Sequence, residues 1–178
     1  KKSRDVLLLG QSNNSLGRLL MLKGDYQTAM TYLQISAGLF ESVEDHTGIA
    51  KVYGDLGNLY FRQGQYEEAK AHFEQSLELS SAHQGGTSNA QIVANLGLTH
   101  MNQGNYDEGI KVQHAQLKVC RRNNDKQGMA TLYTNLGIVY FEKGDYDQAL
   151  ESHLKGLELA EELGNKMLKA IATGCLGN

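Results

Sequence analysis

The sequence predicts an all-α protein, a right-handed α-solenoid of antiparallel helix pairs. Three observations point there. The segments GDYQTAM, GQYEEAK, GNYDEGI and GDYDQAL begin at Gly24, Gly64, Gly104 and Gly144, 40 residues apart each time. A Leu-Gly pair keeps the same step at Leu16-Gly17, Leu56-Gly57, Leu96-Gly97, Leu136-Gly137 and Leu176-Gly177. Inside a period the apolar residues follow helical spacing, as Val52, Leu56, Leu59 and Tyr60 do. Self-similarity at a period of this length marks stacked supersecondary units.

Each period resolves into two helices. Helix A carries the Leu-Gly pair and stops at the repeated Gly, a residue at ease in left-handed geometry. Helix B starts near the following tyrosine. Asp25, Asn105 and Asp145 precede their tyrosines as N-caps. Glu67, Glu68, Asp107, Glu108 and Asp147 then suit the positive end of the helix dipole. Helices are expected over about 5–23, 26–43, 47–63, 66–82, 88–103, 106–122, 127–143 and 146–163, with a ninth from 166. The repeats themselves span 5–43, 47–82, 88–122 and 127–163, and a fifth starts at 166–178. Residues 85–89 form the loosest connection by composition, whereas Asn123-Asn124-Asp125 and Gly164-Asn165 read as tight turns. A ninth helix without a partner would leave an apolar face uncovered, so the sequence suggests a piece of a longer array.

The remaining repeated positions are for packing. Tyr26, Tyr66, Tyr106 and Tyr146 open helix B with a large ring. Ala29, Ala69, Gly109 and Ala149 let helix A approach closely, and Gly17, Gly57, Gly97 and Gly137 play a similar role in the middle of helix A. A mid-helix Gly costs about 1 kcal/mol relative to Ala, so its recurrence implies close helix contact that returns more.

Composition narrows the classes. The 178 residues include 20 Gly but no Pro and no Trp, and the net charge is −3. That balance gives no bulk electrostatic reason to bind nucleic acid or an anionic membrane. No apolar run approaches the roughly 20 residues that span a bilayer. Cys120 and Cys175 lack any metal-type spacing and suit a reducing compartment. The expectation is a soluble, cytoplasmic chain.

Asp55-Leu56-Gly57-Asn58-Leu59-Tyr60 followed by Gly64-Gln65-Tyr66-Glu67-Glu68-Ala69, and the matching run from Asn135 to Ala149, resemble the tetratricopeptide repeat across essentially the whole chain. Two departures stand out: the Pro common after helix B is missing, and the period is 40 rather than 34. Forty-residue repeats look like those of the Pins/LGN cell-polarity scaffolds and of tetratricopeptide sensor arrays in large signalling ATPases. The resemblance implies a superhelix whose concave groove, lined by helix A, holds a partner peptide.

Counted from each Leu-Gly, the family's groove positions fall on Asn14, Arg18 and Met21 in the first repeat. They fall on Asn58, Phe61 and Arg62 in the second, Asn95, Met101 and Asn102 in the third, and Asn135 and Phe141 in the fourth. Amides both donate to and accept from a peptide backbone, Met and Phe take varied apolar groups, and Arg pairs with carboxylates. Phe61, Met101 and Phe141 also fit simple packing, and Arg18 and Arg62 fit bridges to acids such as Asp55. A chaperone-tail clamp is not expected, because neither register keeps its lysines: the first holds Asn14, Arg18, Asp55, Ala94 and Leu98.

Catalytic and metal chemistry find little footing. His72, His114 and His153 lie at different heights on successive helices B, and helices about 8–10 Å apart do not bring such side chains to one ion. His100 stands where Tyr60 and Tyr140 stand and reads as packed core. Residues 84–88 lack the Lys of a phosphate loop. The expectation is therefore a non-enzymatic adaptor or scaffold that binds a protein or peptide, with no cofactor, no metal, no nucleic acid and no membrane. A regulatory sensor array attached to an ATPase is one alternative. Self-association through exposed terminal repeats, or a spacer role, is the other.

Overall fold

The computed structural model describes residues 2–83 and 89–166. Eight α-helices run through them: α1 (Lys2–Leu22), α2 (Tyr26–Glu41), α3 (His46–Arg62), α4 (Tyr66–His83), α5 (Ala90–Asn102), α6 (Tyr106–Arg122), α7 (Lys126–Lys143) and α8 (Tyr146–Glu162). No strand occurs among the described residues. Residues 84–88 and the expected ninth helix beyond 166 lie outside them, as does Cys175.

The turns are built from one recurring piece of chemistry. Gly24, Gly64, Gly104 and Gly144 take φ of 83°, 75°, 78° and 88° at the ends of α1, α3, α5 and α7. The residue after each donates its backbone N–H back five residues: Asp25 to Leu20, Gln65 to Tyr60, Asn105 to His100, and Asp145 to Tyr140. This closes orphan carbonyls at the helix end, a Schellman arrangement. Asp25 and Asp145 then cap the next helix, accepting from the N–H of Thr28 and of Gln148. Asn105 makes no side-chain cap bond. Between hairpins the left-handed residue is Glu44, Asn124 or Gly164, at φ of 55°, 53° and 61°.

Contacts divide the chain into two compact units, residues 1–87 and 88–178. In the first, α1 packs on α2, α2 on α3, and α3 on α4, with α1 also touching α3. In the second, α5 packs on α6 and α7, α6 on α7, and α7 on α8. Each unit is thus two stacked antiparallel hairpins.

The mid-helix glycines are where the hairpins close. A Cβ on Gly17 would lie 2.8 Å from Leu33 Cγ, and one on Gly57 2.5 Å from a Phe73 ring carbon. A Cβ on Gly97 would collide with Gln113, and one on Gly137 with His153. Leu33, Phe73, Gln113 and His153 are 40 residues apart and all buried. One pocket of the hairpin is therefore filled by four different side chains. On the other helix, a Cβ on Gly109 would meet the carbonyl oxygen of Gly97 at 2.7 Å.

The first core gathers Ala29, Leu33, Phe40, Ile49, Val52, Leu56 and Leu59. Met21, a residue expected on the groove, lies in the same cluster. Sitting in the last turn of α1, its flexible chain folds back onto the hairpin. Conversely, Leu9, Leu16 and Leu19 of α1 are 54%, 38% and 58% exposed, while Ile49, Leu56 and Leu59, each 40 residues on, are 8%, 6% and 0% exposed. The difference is that α2 seats against α3.

Candidate functional site

In the first unit the candidate groove residues meet around one carboxylate. Asp55, in the middle of α3, is buried. Asn14 of α1 donates from Nδ2 to Asp55 Oδ2 at 3.0 Å. Arg18, one turn further along α1, places Nε 3.7 Å from Asp55 Oδ1, while its own side chain stays half-exposed. Burial pushes the Asp55 carboxyl above its ordinary value, and Asn14, Arg18, Lys51 and Asn58 pull it partly back. The bridge from Arg18 to Asp55, named above as the alternative to an open groove contact, is formed, and Lys51 and Asn58 complete a polar floor. Arg62 is exposed at the end of α3, and Phe61 is half-buried with its ring edge-on to Tyr66 at 5.6 Å.

Asn14, a residue expected on the groove, is 2% exposed and lies in the floor of this face. Position explains it. Gly54, Ala94 and Thr134 stand at the same point of the later repeats and are buried too. Small residues fill that point elsewhere. The larger Asn14 fits because Asp55 accepts its N–H, although its Oδ1 remains without a hydrogen-bond partner.

The second unit distributes its candidates along α5 and α7. Asn95 is half-buried and accepts from Gln91 Nε2 at 3.0 Å on its own helix. Asn102 is exposed, with Nδ2 donating to the Leu98 carbonyl. Met101 and Asn135 are half-buried. Phe141 is 52% exposed and lies edge-on to Tyr146, ring centres 5.5 Å apart. Phe61 and Phe141 therefore make the same contact within their own hairpins. No ion pair equivalent to Arg18–Asp55 recurs on α5 and α7 among the described residues, where Leu98 and Asn135 occupy the matching positions.

The histidines do not converge. His72 stacks between Tyr53 and Tyr60, His100 and His153 are buried in the hairpins, and His114 approaches Tyr140. No cluster of metal-binding side chains occurs among the described residues. None of their helices is long and apolar enough to cross a membrane.

Paired helices, a left-handed glycine after each helix A and the close Gly-to-helix-B approach define a repeat protein of helical hairpins. A tetratricopeptide repeat model matches residues 8–82 and 87–162, and a second tetratricopeptide repeat model matches 55–115. The chain belongs to the tetratricopeptide repeat family. No curated protein matches the sequence. Among solved structures it is similar to BtubC (BKLC) from P. vanneervenii, with a TM-score of 0.77 and 21% identity over 97% of this chain and 74% of that one. It is also similar to aspartyl phosphate phosphatase F from Bacillus subtilis, with a TM-score of 0.83 and 16% identity over 95% of this chain and 44% of that one. At such identities the likeness is one of fold.

Proposed function

We propose that the chain is a non-catalytic interaction module whose α1–α3 face binds a peptide segment of a partner protein, in the manner of an adaptor or scaffold. Tetratricopeptide repeats mediate protein–protein interactions. The observation that favours this face is the buried Asp55 carboxyl, its pKa raised by burial and pulled partly back by Asn14, Arg18, Lys51 and Asn58. Stability alone does not call for it, since an apolar pair of similar volume serves a helix contact as well or better. Arg18 and Arg62 supply charge-assisted donors to an acidic side chain or main-chain carbonyl, and Asn58 suits a peptide bond. Asn95, Asn102, Asn135, Met101 and Phe141 offer the second unit a more apolar, amide-bearing face. The buried thiol of Cys120 suits a reducing, cytoplasmic setting.

The test is selection of the chain against a proteome-derived peptide library beside an Arg18→Glu, Arg62→Glu variant. Enrichment of one motif that is lost in the variant, with helical circular dichroism unchanged, supports recognition by this face. Equal enrichment in both moves the site elsewhere. A second function, self-association, is favoured by the exposed Leu9, Leu16 and Leu19 stripe of α1. It predicts a concentration-dependent mass that Leu16→Glu with Leu19→Glu removes.

A further inference from the structure

Away from the candidate groove residues, the second unit gathers cations around two tyrosines. Three helices contribute. On α6, His114, Lys118 and Arg121 are spaced four and three apart and share a face. On α7, Tyr133 and Tyr140 are seven apart and share another. On α8, Lys155 stands one turn after Glu151 and pairs with it. Arg121 donates from Nη2 to Tyr133 Oη, and Lys155 Nζ lies 5.6 Å from the centre of the same ring. His114 Nε2 is 3.0 Å from Tyr140 Oη.

The arrangement brings like charges from separate helices to one aromatic ring. Arg121 and Lys155 flank Tyr133, and Lys118 stands between Arg121 and His114 along α6. Glu151 offsets one of the three positive charges. Tyr133 Oη accepts from Arg121 and so keeps its own proton to donate. A forked guanidinium, a mobile ammonium and a hydroxyl donor form a set that matches tetrahedral oxyanions.

We propose that Arg121, Lys155 and the Tyr133 hydroxyl form a binding site for a phosphate-type oxyanion, with Lys118 and His114 at its edge. The phosphoryl group comes either from free phosphate or from a phosphorylated side chain of a partner. His114 supplies the reporter. Its pKa is held below the ordinary value by burial first, then by Arg121, Lys118 and Lys155. Tyr140 beside it lies in the fields of Asp145, Lys143 and Glu151. An anion seated on the cations cancels their repulsion and moves His114 upward.

The experiment is NMR observation of the His114 ring protons during titration with sodium phosphate, against sodium chloride at equal ionic strength. A saturable phosphate-specific shift and a raised His114 pKa are expected. Both are expected to vanish in Arg121→Ala with Lys155→Ala and to persist in Lys111→Ala, whose lysine pairs with Glu108 elsewhere on α6. A phosphoserine peptide that binds more tightly than phosphate, while its unphosphorylated form does not bind, assigns the source to a partner. Equal binding of peptide and phosphate assigns it to the free ion. A phosphate response no different from chloride, or one that survives in the folded double variant, overturns the proposal. None of these residues belongs to the α1–α3 face, so the outcome is independent of peptide recognition there.

Discussion

Asn14 and Asp55 are 41 residues apart in sequence, yet one hydrogen bond of 3.0 Å joins them across α1 and α3. Its acceptor sits at a cost. A carboxyl whose folded pKa is raised favours the folded state only at pH below its unfolded value, and loses that advantage as pH rises through the folded value. Above that range the charged Asp55 is a burden. Asp55→Asn keeps an acceptor for Asn14 and removes the charge. It is expected to hold or raise the melting temperature at neutral pH, with the gain disappearing in acid. The same change releases Arg18, so any peptide bound to this face weakens while stability does not.

Gly57 and Gly64 separate two uses of glycine. At Gly57 an added Cβ meets the Phe73 ring, whereas at Gly64 it meets nothing within 4 Å but the backbone has φ of 75°. Gly57→Leu overpacks the hairpin and is expected to cost about 1–3 kcal/mol. Gly64→Ala pays only for left-handed geometry, about 1–2 kcal/mol, and Gly64→Asn less. Chemical denaturation of the three variants checks the order.

Gln113 fills the site that Leu33 and Phe73 fill in the first unit, fully buried, with both side-chain polar atoms lacking a hydrogen-bond partner. Unmade hydrogen bonds of this kind cost about 1–3 kcal/mol. Gln113→Leu restores the apolar side chain of the first repeat and is expected to raise the unfolding midpoint in urea. A lower midpoint would mean that the amide meets a need in this pocket.

Burial holds His72 and His153 below their ordinary pKa, each in its own unit. For a base whose folded pKa is depressed, the unfolded chain binds the proton first. Stability is therefore lost as pH falls below about 6.5, the unfolded histidine value, until the folded value is passed. Thermal melts between neutral and mildly acid pH are expected to show that decline. His153→Phe, which matches Phe73 at the equivalent position, is expected to flatten the part that arises in the second unit.

Much of the hairpin chemistry was legible from residues alone. Gly24, Gly64, Gly104 and Gly144 marked the left-handed turns, Asp25 and Asp145 the caps, and the Gly17 and Gly57 series the close approaches, because each is a local constraint that one residue type satisfies. The Arg18–Asp55 pair was legible only as an alternative, since opposite charges on neighbouring helices A can bridge or can face a ligand. Burial of Asn14 and Met21 was not legible. Both follow from how far a side chain turns toward the neighbouring helix, a tertiary outcome that repeat position does not encode. The division at residues 87 and 88 falls within 85–89, the stretch that composition marks as the loosest connection, although the 40-residue step runs on across it. Tyr133 and Tyr140 carried a usable signal in their seven-residue spacing, but their cations come from α6 and α8, and only the packed hairpins bring those together.

The turn in which one residue closes the helix behind it and opens the helix ahead, as Asp25 and Asp145 do, makes such a junction self-sufficient. Its bonds span only neighbours in sequence, so copying or excising a 40-residue block leaves each junction whole. A gene for such a chain can change length in whole blocks without a new join having to be invented, and what must then be adjusted is only the fit between successive faces.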